Sequence, residues 1–258
     1  MTGPSRSIGS GRTAWLKTDE QIALAPSRAD RRPVSVAAQP VAVEVDLGRT
    51  AMIVIDMQNA FCAPGGLTDL NGADLGLARA PIEPLNGLLP ALRRHDVPVI
   101  WLNWGNRPDR LNVPPMTLHA FDPDERGRGI GDELPGGKGS VLLKDAWSSA
   151  IVDELVVGPD DIHVDKFRVS GFWDTPLDSI LRNLDVRTLL FAGVNLDVCV
   201  YHTLADAHFL GYDCVLVEDC SATTAPQFCT DATLRNIKKC FGFLTTSAEL
   251  GTALQRLT

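Results

Sequence analysis

A cysteine follows a strand-like segment at the point where a helical pattern begins. The apolar run from Thr188 to Gly193 is typical of a buried strand, and Cys199 opens a stretch with apolar residues at helical spacing that ends at Gly211. The first turn of a helix carries unpaired N–H groups and a partial positive charge, and both stabilise a thiolate. Cys199 is therefore a candidate nucleophile, although a free cysteine is more often an inert buried side chain.

An acid and a cation end two further strand-like segments, 51–56 and 161–166, at Asp56 and Lys166. Because ligands bind beyond the carboxyl ends of the strands in open parallel sheets, these side chains and the thiol can converge on one crevice. Lys166 would hold the thiol pKa well below its free value, and Asp56 could move a proton from the thiol to a leaving amine. Taken singly, such an Asp is more often a turn former and such a Lys more often solvated.

These three segments resemble the cysteine hydrolases of the isochorismatase-like superfamily. Their sequences IVIDMQNAF, DKFRVSGF and GVNLDVCV are similar to the segments that carry the family's Asp–Lys–Cys triad, and the likeness runs from about Thr50 to Leu250. SGFWDTPLDSIL and LVEDCSATTAPQF resemble the ureidoacrylate amidohydrolase branch in particular. The resemblance implies a doubly wound α/β/α fold and hydrolysis of a non-peptide amide or carbamoyl C–N bond through an acyl-enzyme.

The resemblance also implies how the reaction would be supported. The backbone N–H groups of Asn195 and Cys199 would form an oxyanion hole, and the Val194–Asn195 peptide would be cis. Family members usually have a small residue and then Thr where this chain has Asn195 and Leu196. Some relatives bind a metal through an Asp and two His. The chain lacks that pattern, any zinc spacing and any phosphate-binding glycine motif, so we predict neither metal nor cofactor.

Polar and aromatic side chains near the predicted strand ends are candidates for substrate binding. Amides there could pair with the edges of a urea-like group, and aromatic rings could wall the pocket; turn capping and core packing are the alternatives. The predicted substrate-binding residues are Gln58, Asn103, Trp104, Asn106, Phe172 and Trp173.

The pattern of strands and helices predicts one α/β domain, a doubly wound three-layer α/β/α fold around a six-stranded, mostly parallel sheet. The predicted strands are 51–56, 97–103, 161–166, 188–193, 213–217 and 241–245. Residues 1–48 form a polar N-terminal extension that we expect to be partly disordered, and residues 49–258 form the hydrolase domain. Long connections at 57–80 and 104–140 are expected to be binding loops.

Composition excludes several classes of partner. The chain has 258 residues, of which 45% are hydrophobic and 22% charged, as in ordinary globular proteins. Its net charge of −8 and its lack of a basic stripe argue against nucleic acid. The sequence has neither an apolar stretch long enough for a membrane span nor a secretory signal, so we expect a cytoplasmic enzyme acting on a small-molecule amide. The family resemblance suggests a homo-oligomer, a dimer or tetramer.

Other functions remain open at this stage. Within the family, the substrate could be a cyclic lactam of a streptothricin-type antibiotic, or nicotinamide. Isochorismatase itself fits less well, because those enzymes protonate a vinyl ether and carry no nucleophilic cysteine. A different class is a non-catalytic α/β binding protein, in which Cys199 would resist iodoacetamide until the chain unfolds.

Overall fold

The centre of the molecule is a six-stranded parallel sheet. The computed structural model describes residues 6–9, 13–24 and 31–257. The sheet strands are β6 (Thr50–Ile55), β7 (Val99–Trp104), β8 (Ile162–Lys166), β9 (Thr188–Val194), β10 (Asp213–Ala222) and β11 (Phe243–Thr245). Their spatial order is β11-β10-β9-β6-β7-β8, and every neighbouring pair is parallel. The predicted fold class and sheet are confirmed.

The strand order starts at the middle of the sheet and extends first towards one edge and then towards the other. The chain runs outward through β6, β7 and β8 and then returns to β9 beside β6. Every residue of β6, β7 and β9 is buried, which is typical of parallel strands with both faces covered. The order reverses between β6 and β9, and such a reversal is where doubly wound sheets open a crevice for ligands.

Helices cover both faces of the sheet. They are α1 (Asn59–Cys62), α2 (Leu67–Leu70), α3 (Leu75–Arg79), α4 (Ile82–Arg94), α5 (Pro115–Phe121), α6 (Leu177–Asn183), α7 (Tyr201–Phe209), α8 (Gln227–Asn236) and α9 (Ser247–Gln255). The predicted connection 57–80 therefore holds three short helices. The helix α4 continues through Pro90, a residue type that often kinks or ends a helix.

The N-terminal part of the chain holds two small antiparallel sheets. One is formed by β1 (Arg6–Ile8), β2 (Trp15–Lys17) and β3 (Ile22–Ala23), and the other by the hairpin β4 (Pro33–Val36) and β5 (Val43–Asp46). The hairpin buries valines in the main core, and the segment between its strands bonds to β11, where Gln39 and Leu244 exchange backbone hydrogen bonds. The predicted extension 1–48 thus contains a packed part that the sequence did not indicate.

No helix in the described ranges has the length and apolar character needed to cross a membrane.

Candidate active site

Asp56 is the first residue after β6, at the middle of the sheet. Its φ of 54° lies in the left-handed region that Asp tolerates better than most residues, and this turns the chain sharply at the strand end. The neighbouring strand comes very close here, because a Cβ on Gly193 would lie 2.0 Å from the Ile55 carbonyl oxygen. Only glycine fits that approach, which brings the ends of β6 and β9 together.

Lys166 is the last residue of β8, and its side chain is completely buried. Its Nζ lies 3.0 Å from Oδ2 of Asp56 and 3.5 Å from Sγ of Cys199, and it also donates to the backbone oxygen of Arg168 at 3.2 Å. The ammonium group therefore lies between the carboxylate and the thiol. The sequence prediction that these three side chains come together is consistent with this geometry.

Cys199 lies in a π-helical turn, Leu196–Val200, that joins β9 to α7. The side chain is 7% exposed. Its backbone oxygen accepts a hydrogen bond from Oγ1 of Thr203 on α7, which fixes the turn to the helix. Cys199 is therefore almost completely enclosed at the start of the helical segment.

Burial dominates the protonation of this cluster. Desolvation raises the pKa of Cys199 to about 12; the charge of Lys166 lowers it, whereas the charge of Asp56 raises it again. Desolvation likewise raises the pKa of Asp56, although Lys166 opposes this. The predicted low thiol pKa is therefore wrong for the free protein, because loss of water outweighs one neighbouring cation. Burial therefore favours the neutral thiol of Cys199.

Trp104 covers the ammonium group. Its ring centroid lies 3.9 Å from Lys166 Nζ, in a buried cation–π contact, and Phe121 of α5 packs edge-on against the indole at 5.0 Å. Its Nε1 is buried and has no hydrogen-bond acceptor in the described part of the chain. Although it lies outside normal hydrogen-bond geometry, the indole N–H still favours the ionised form of Cys199 and so lowers the thiol pKa. Trp104 lies beside the cluster at the strand ends, and its predicted contact with substrate stays a prediction.

Two of the predicted amides bind the protein backbone. Gln58 is fully buried, donates to the backbone oxygens of Trp104 and Ser149, and accepts from the backbone N–H of Trp104. Asn106 is also fully buried and donates to the backbone oxygen of Leu142. Both hold loops in place around the strand ends. These bonds give both residues a positioning role, while Oδ1 of Asn106 is buried without a partner in the described ranges. Their contacts with substrate stay predictions.

Three other predicted contacts lie elsewhere. Phe172 packs against Tyr212 with ring centroids 5.8 Å apart, and the largely exposed Trp173 donates from Nε1 to Asp206 on α7. Both rings contact α7 or the residues after it, and their predicted role in walling a substrate pocket stays a prediction. Asn103 points to the opposite face of β7 from Trp104, because side chains alternate along a strand. It lines a separate cleft.

The loop that leads to Cys199 has the backbone form implied by the resemblance. The Val194–Asn195 peptide is cis, as expected. The backbone oxygen of Asn195 accepts from the N–H groups of Val198 and Val200, and its side-chain oxygen accepts from Thr224 N at 3.4 Å. The Asn195 side chain thus ties this loop to the segment after β10. An oxyanion hole formed by the N–H groups of Asn195 and Cys199 remains a prediction.

Sequence reasoning missed two neighbours of the cluster. Phe121 was hidden within the unpatterned connection 104–140, and no periodicity marks it as a partner of Trp104. The backbone oxygen of Arg168 could have been suspected only from its closeness in sequence to Lys166. Within the described ranges, no three His, Cys, Asp or Glu side chains are grouped so that they could hold a metal ion.

Comparison with known proteins agrees with this architecture. Residues 50–249 match the model of the isochorismatase domain family. The fold is similar to that of a cysteine hydrolase from Pseudomonas syringae pv. phaseolicola 1448A, with a TM-score of 0.70 and 25% identity over 89% of this chain and 100% of that one. It is also similar to an isochorismatase family protein from Desulfovibrio vulgaris subsp. vulgaris str. Hildenborough, with a TM-score of 0.64 and 25% identity over 81% and 99% of the two chains.

A third similar fold is that of an N-carbamoylsarcosine amidase from Thermoplasma acidophilum. The TM-score is 0.59 and the identity 24%, over 78% of this chain and 98% of that one.

Proposed function

This chain belongs to the isochorismatase family, and we propose that it is a cysteine amidohydrolase that cleaves a small non-peptide amide or carbamoyl C–N bond through an acyl-enzyme. The observation that carries the proposal is the buried cluster in which Lys166 Nζ lies within 3.5 Å of both the Cys199 sulfur and an Asp56 oxygen. It supplies a nucleophile, a proton carrier and a fixed charge, which acyl transfer requires.

The first half of the reaction forms a thioester. Asp56 takes the Cys199 proton as Sγ attacks the substrate carbonyl carbon, and the oxyanion that forms is held by the backbone N–H groups of Asn195 and Cys199. The proton then passes from Asp56 to the leaving nitrogen as the C–N bond breaks. Lys166 is close to both partners, so the negative charge stays near an ammonium group whether it lies on oxygen or on sulfur.

The second half returns the enzyme to its starting state. Asp56 takes a proton from a water molecule that attacks the thioester carbonyl carbon. The C–S bond breaks, the acid product leaves, and the sulfur regains its proton. Burial raises the pKa of Asp56, which strengthens this carboxylate as a base for the thiol and water protons. This set of groups performs the reaction without a Lewis acid.

The substrate that we propose is a ureido or carbamoyl acid, similar to ureidoacrylate. The support is the likeness of SGFWDTPLDSIL and LVEDCSATTAPQF to that branch of the family. The nearly complete burial of Cys199 also favours a compact substrate over a polypeptide. A screen of ureido acids, biuret, nicotinamide and lactams for release of ammonia or amine tests the assignment. We expect turnover of a ureido acid, and turnover of nicotinamide or a lactam alone would refute it.

The nucleophile is tested separately. Cys199→Ala should abolish turnover and leave the fold intact, and intact-protein mass spectrometry during turnover should show an acyl adduct on Cys199 of the unaltered enzyme. Cys214→Ala is the matched control, since Cys214 is also buried and its pKa is also raised to about 12 by burial, but it lies inside β10. Full activity of the Cys199→Ala variant would contradict the proposal.

A further inference from the structure

A second cleft lies on the face of β7 and β8 that points away from Trp104 and Lys166. Its volume is about 500 Å³, and the loop 144–151 forms one of its walls. The floor comes from paired residues of the two strands, Trp101 beside His163 and Asn103 beside Asp165. None of Asp56, Lys166 and Cys199 lines it.

Asn103 is the unusual residue of this cleft. It is 7% exposed, and its Oδ1 is buried without a hydrogen-bond partner in the described ranges. A buried amide oxygen without a partner has lost its hydrogen bonds to water, and most buried amide oxygens in native proteins are paired. Gln58, at the end of the neighbouring strand, has its whole amide paired with backbone groups. The Asn103 amide is therefore available to a molecule that enters the cleft.

The rim of the cleft is polar and carries a small net negative charge. Lys144 and Asp165 form an ion pair at 2.8 Å, and Asp145 and His163 complete the polar lining. Two carboxylates face one ammonium group, which favours a neutral ligand rich in N–H donors over an anionic one.

We propose that this cleft is a second binding site, for a small neutral molecule that carries a primary amide or urea group. Such a group presents an N–H and a C=O on one edge, which matches the acceptor Oδ1 and the donor Nδ2 of Asn103 in a paired hydrogen bond. A further N–H of the ligand can reach a rim carboxylate. The cleft lies on the opposite face of β7 and β8 from the side chains of Trp104 and Lys166, and it does not depend on the proposed reaction.

The test is a titration by NMR of the Cys199→Ala variant with acetamide, so that turnover plays no part in the result. The chain has five tryptophans, and the indole N–H signal of Trp101, assigned with Trp101→Phe, reports from the cleft. We expect a saturable shift of this signal with acetamide and at least a tenfold weaker response to N,N-dimethylacetamide, which lacks N–H donors.

Variants locate the binding. A second change, Asn103→Leu, should weaken acetamide binding at least tenfold, whereas Asn71→Leu makes the same change at an exposed position and should leave it unaltered. The comparison of the two ligands needs no cleft variant, so it stands even if Asn103→Leu fails to fold. Equal affinity for the two ligands, unchanged binding in Asn103→Leu, or a saturable shift of Trp104 without one of Trp101 would overturn the proposal.

Discussion

Lys166 lies between an acid and a thiol, so the negative charge stays close to the ammonium group whichever of the two acids holds the proton. A proton on sulfur leaves the negative charge 3.0 Å from Nζ, and a proton on Asp56 leaves it 3.5 Å from Nζ. The raised pKa values of both acids, which burial causes, therefore do not prevent proton transfer between them. They oppose loss of the proton to water.

The pH dependence of alkylation tests this description. Since burial raises the Cys199 pKa to about 12, its reaction with iodoacetamide should be slow at neutral pH and accelerate above about pH 9, the side on which the thiolate forms. Lys166→Met should slow it further, because Lys166 lowers that pKa, and Asp56→Asn should speed it, because Asp56 raises it. Peptide mapping by mass spectrometry gives the rates, with exposed Cys240 as the internal reference.

The two variants should change the alkylation rate in opposite directions, which distinguishes the effect of Lys166 from that of Asp56. Turnover should fall in both variants, and in Asp56→Asn by roughly 100-fold or more, the scale of a lost general acid–base. A wild-type thiol that titrates below pH 8, or two variants that shift the profile in the same direction, would contradict the assigned roles.

The indole N–H and the ring of Trp104 should each affect the cluster, and two variants remove them in turn. Trp104→Phe keeps a ring beside Nζ but removes the indole N–H, so the Cys199 alkylation profile should move to higher pH and kcat should fall. Trp104→Leu removes the ring as well, and a desolvated cation–π contact is worth about 2 kcal/mol, so kcat and stability should both fall further. Steady-state kinetics and thermal unfolding measure these effects.

Trp173→Phe is the matched control, because Trp173 is exposed and bonded to Asp206. Equal kinetic losses in Trp104→Phe and Trp173→Phe would support the substrate contact predicted for Trp173. They would also contradict the specific role assigned to Trp104.

Gln58 shows how one side chain joins separate elements. It follows β6 and forms hydrogen bonds with the backbone N–H and oxygen of Trp104, the last residue of β7. It also donates to the backbone oxygen of Ser149. Gln58→Leu would leave three buried backbone groups unpaired at about 1–3 kcal/mol each, so we expect the free energy of unfolding to fall by roughly 3 kcal/mol or more. Urea unfolding measures the loss, and exposed Gln227→Leu is the control. A large rise in KM with unchanged stability would instead indicate a substrate contact.

The elements of the sheet could be predicted because their signals are local. Apolar runs such as those of β6 and β9 define buried strands within one or two residues of the observed bounds, and parallel topology then places Asp56 and Cys199 side by side. The roles of Gln58 and Asn103 could not be predicted in this way. Both are amides at strand ends, and only the three-dimensional path of the loops decides that one is fully paired and the other is not.

At the scale of the molecule, the hairpin β4–β5 was missed for a related reason. Its strands have four residues each, and their valines become a core face only when packed beside α9 and β11. The thiol pKa was mispredicted because the sequence shows which charges are near Cys199 but not how completely water is excluded. Burial is a property of the assembled layers, and no short motif records it.

The sheet β1–β3 gives the whole molecule an exposed apolar surface. Its strands have only two or three residues, and Ile8, Trp15, Leu16 and Ile22 are each more than 40% exposed. Such a sheet has too little buried area to be stable alone, so its apolar side chains need another surface. We propose that this N-terminal arm lies on a neighbouring subunit of a dimer or tetramer.

Two truncations distinguish the contribution of the arm β1–β3 from that of the hairpin β4–β5. Removing residues 1–24 should reduce the mass in light scattering to that of a smaller assembly, with little change in the Tm of the remaining fold. Removing residues 1–46 should also lower the Tm, because Val34, Val36 and Val45 are buried in the core and each such side chain contributes about 1.5–3 kcal/mol. A full-length monomer at micromolar concentration would refute the oligomer. An unchanged mass after the first truncation would mean that the subunits associate through another surface.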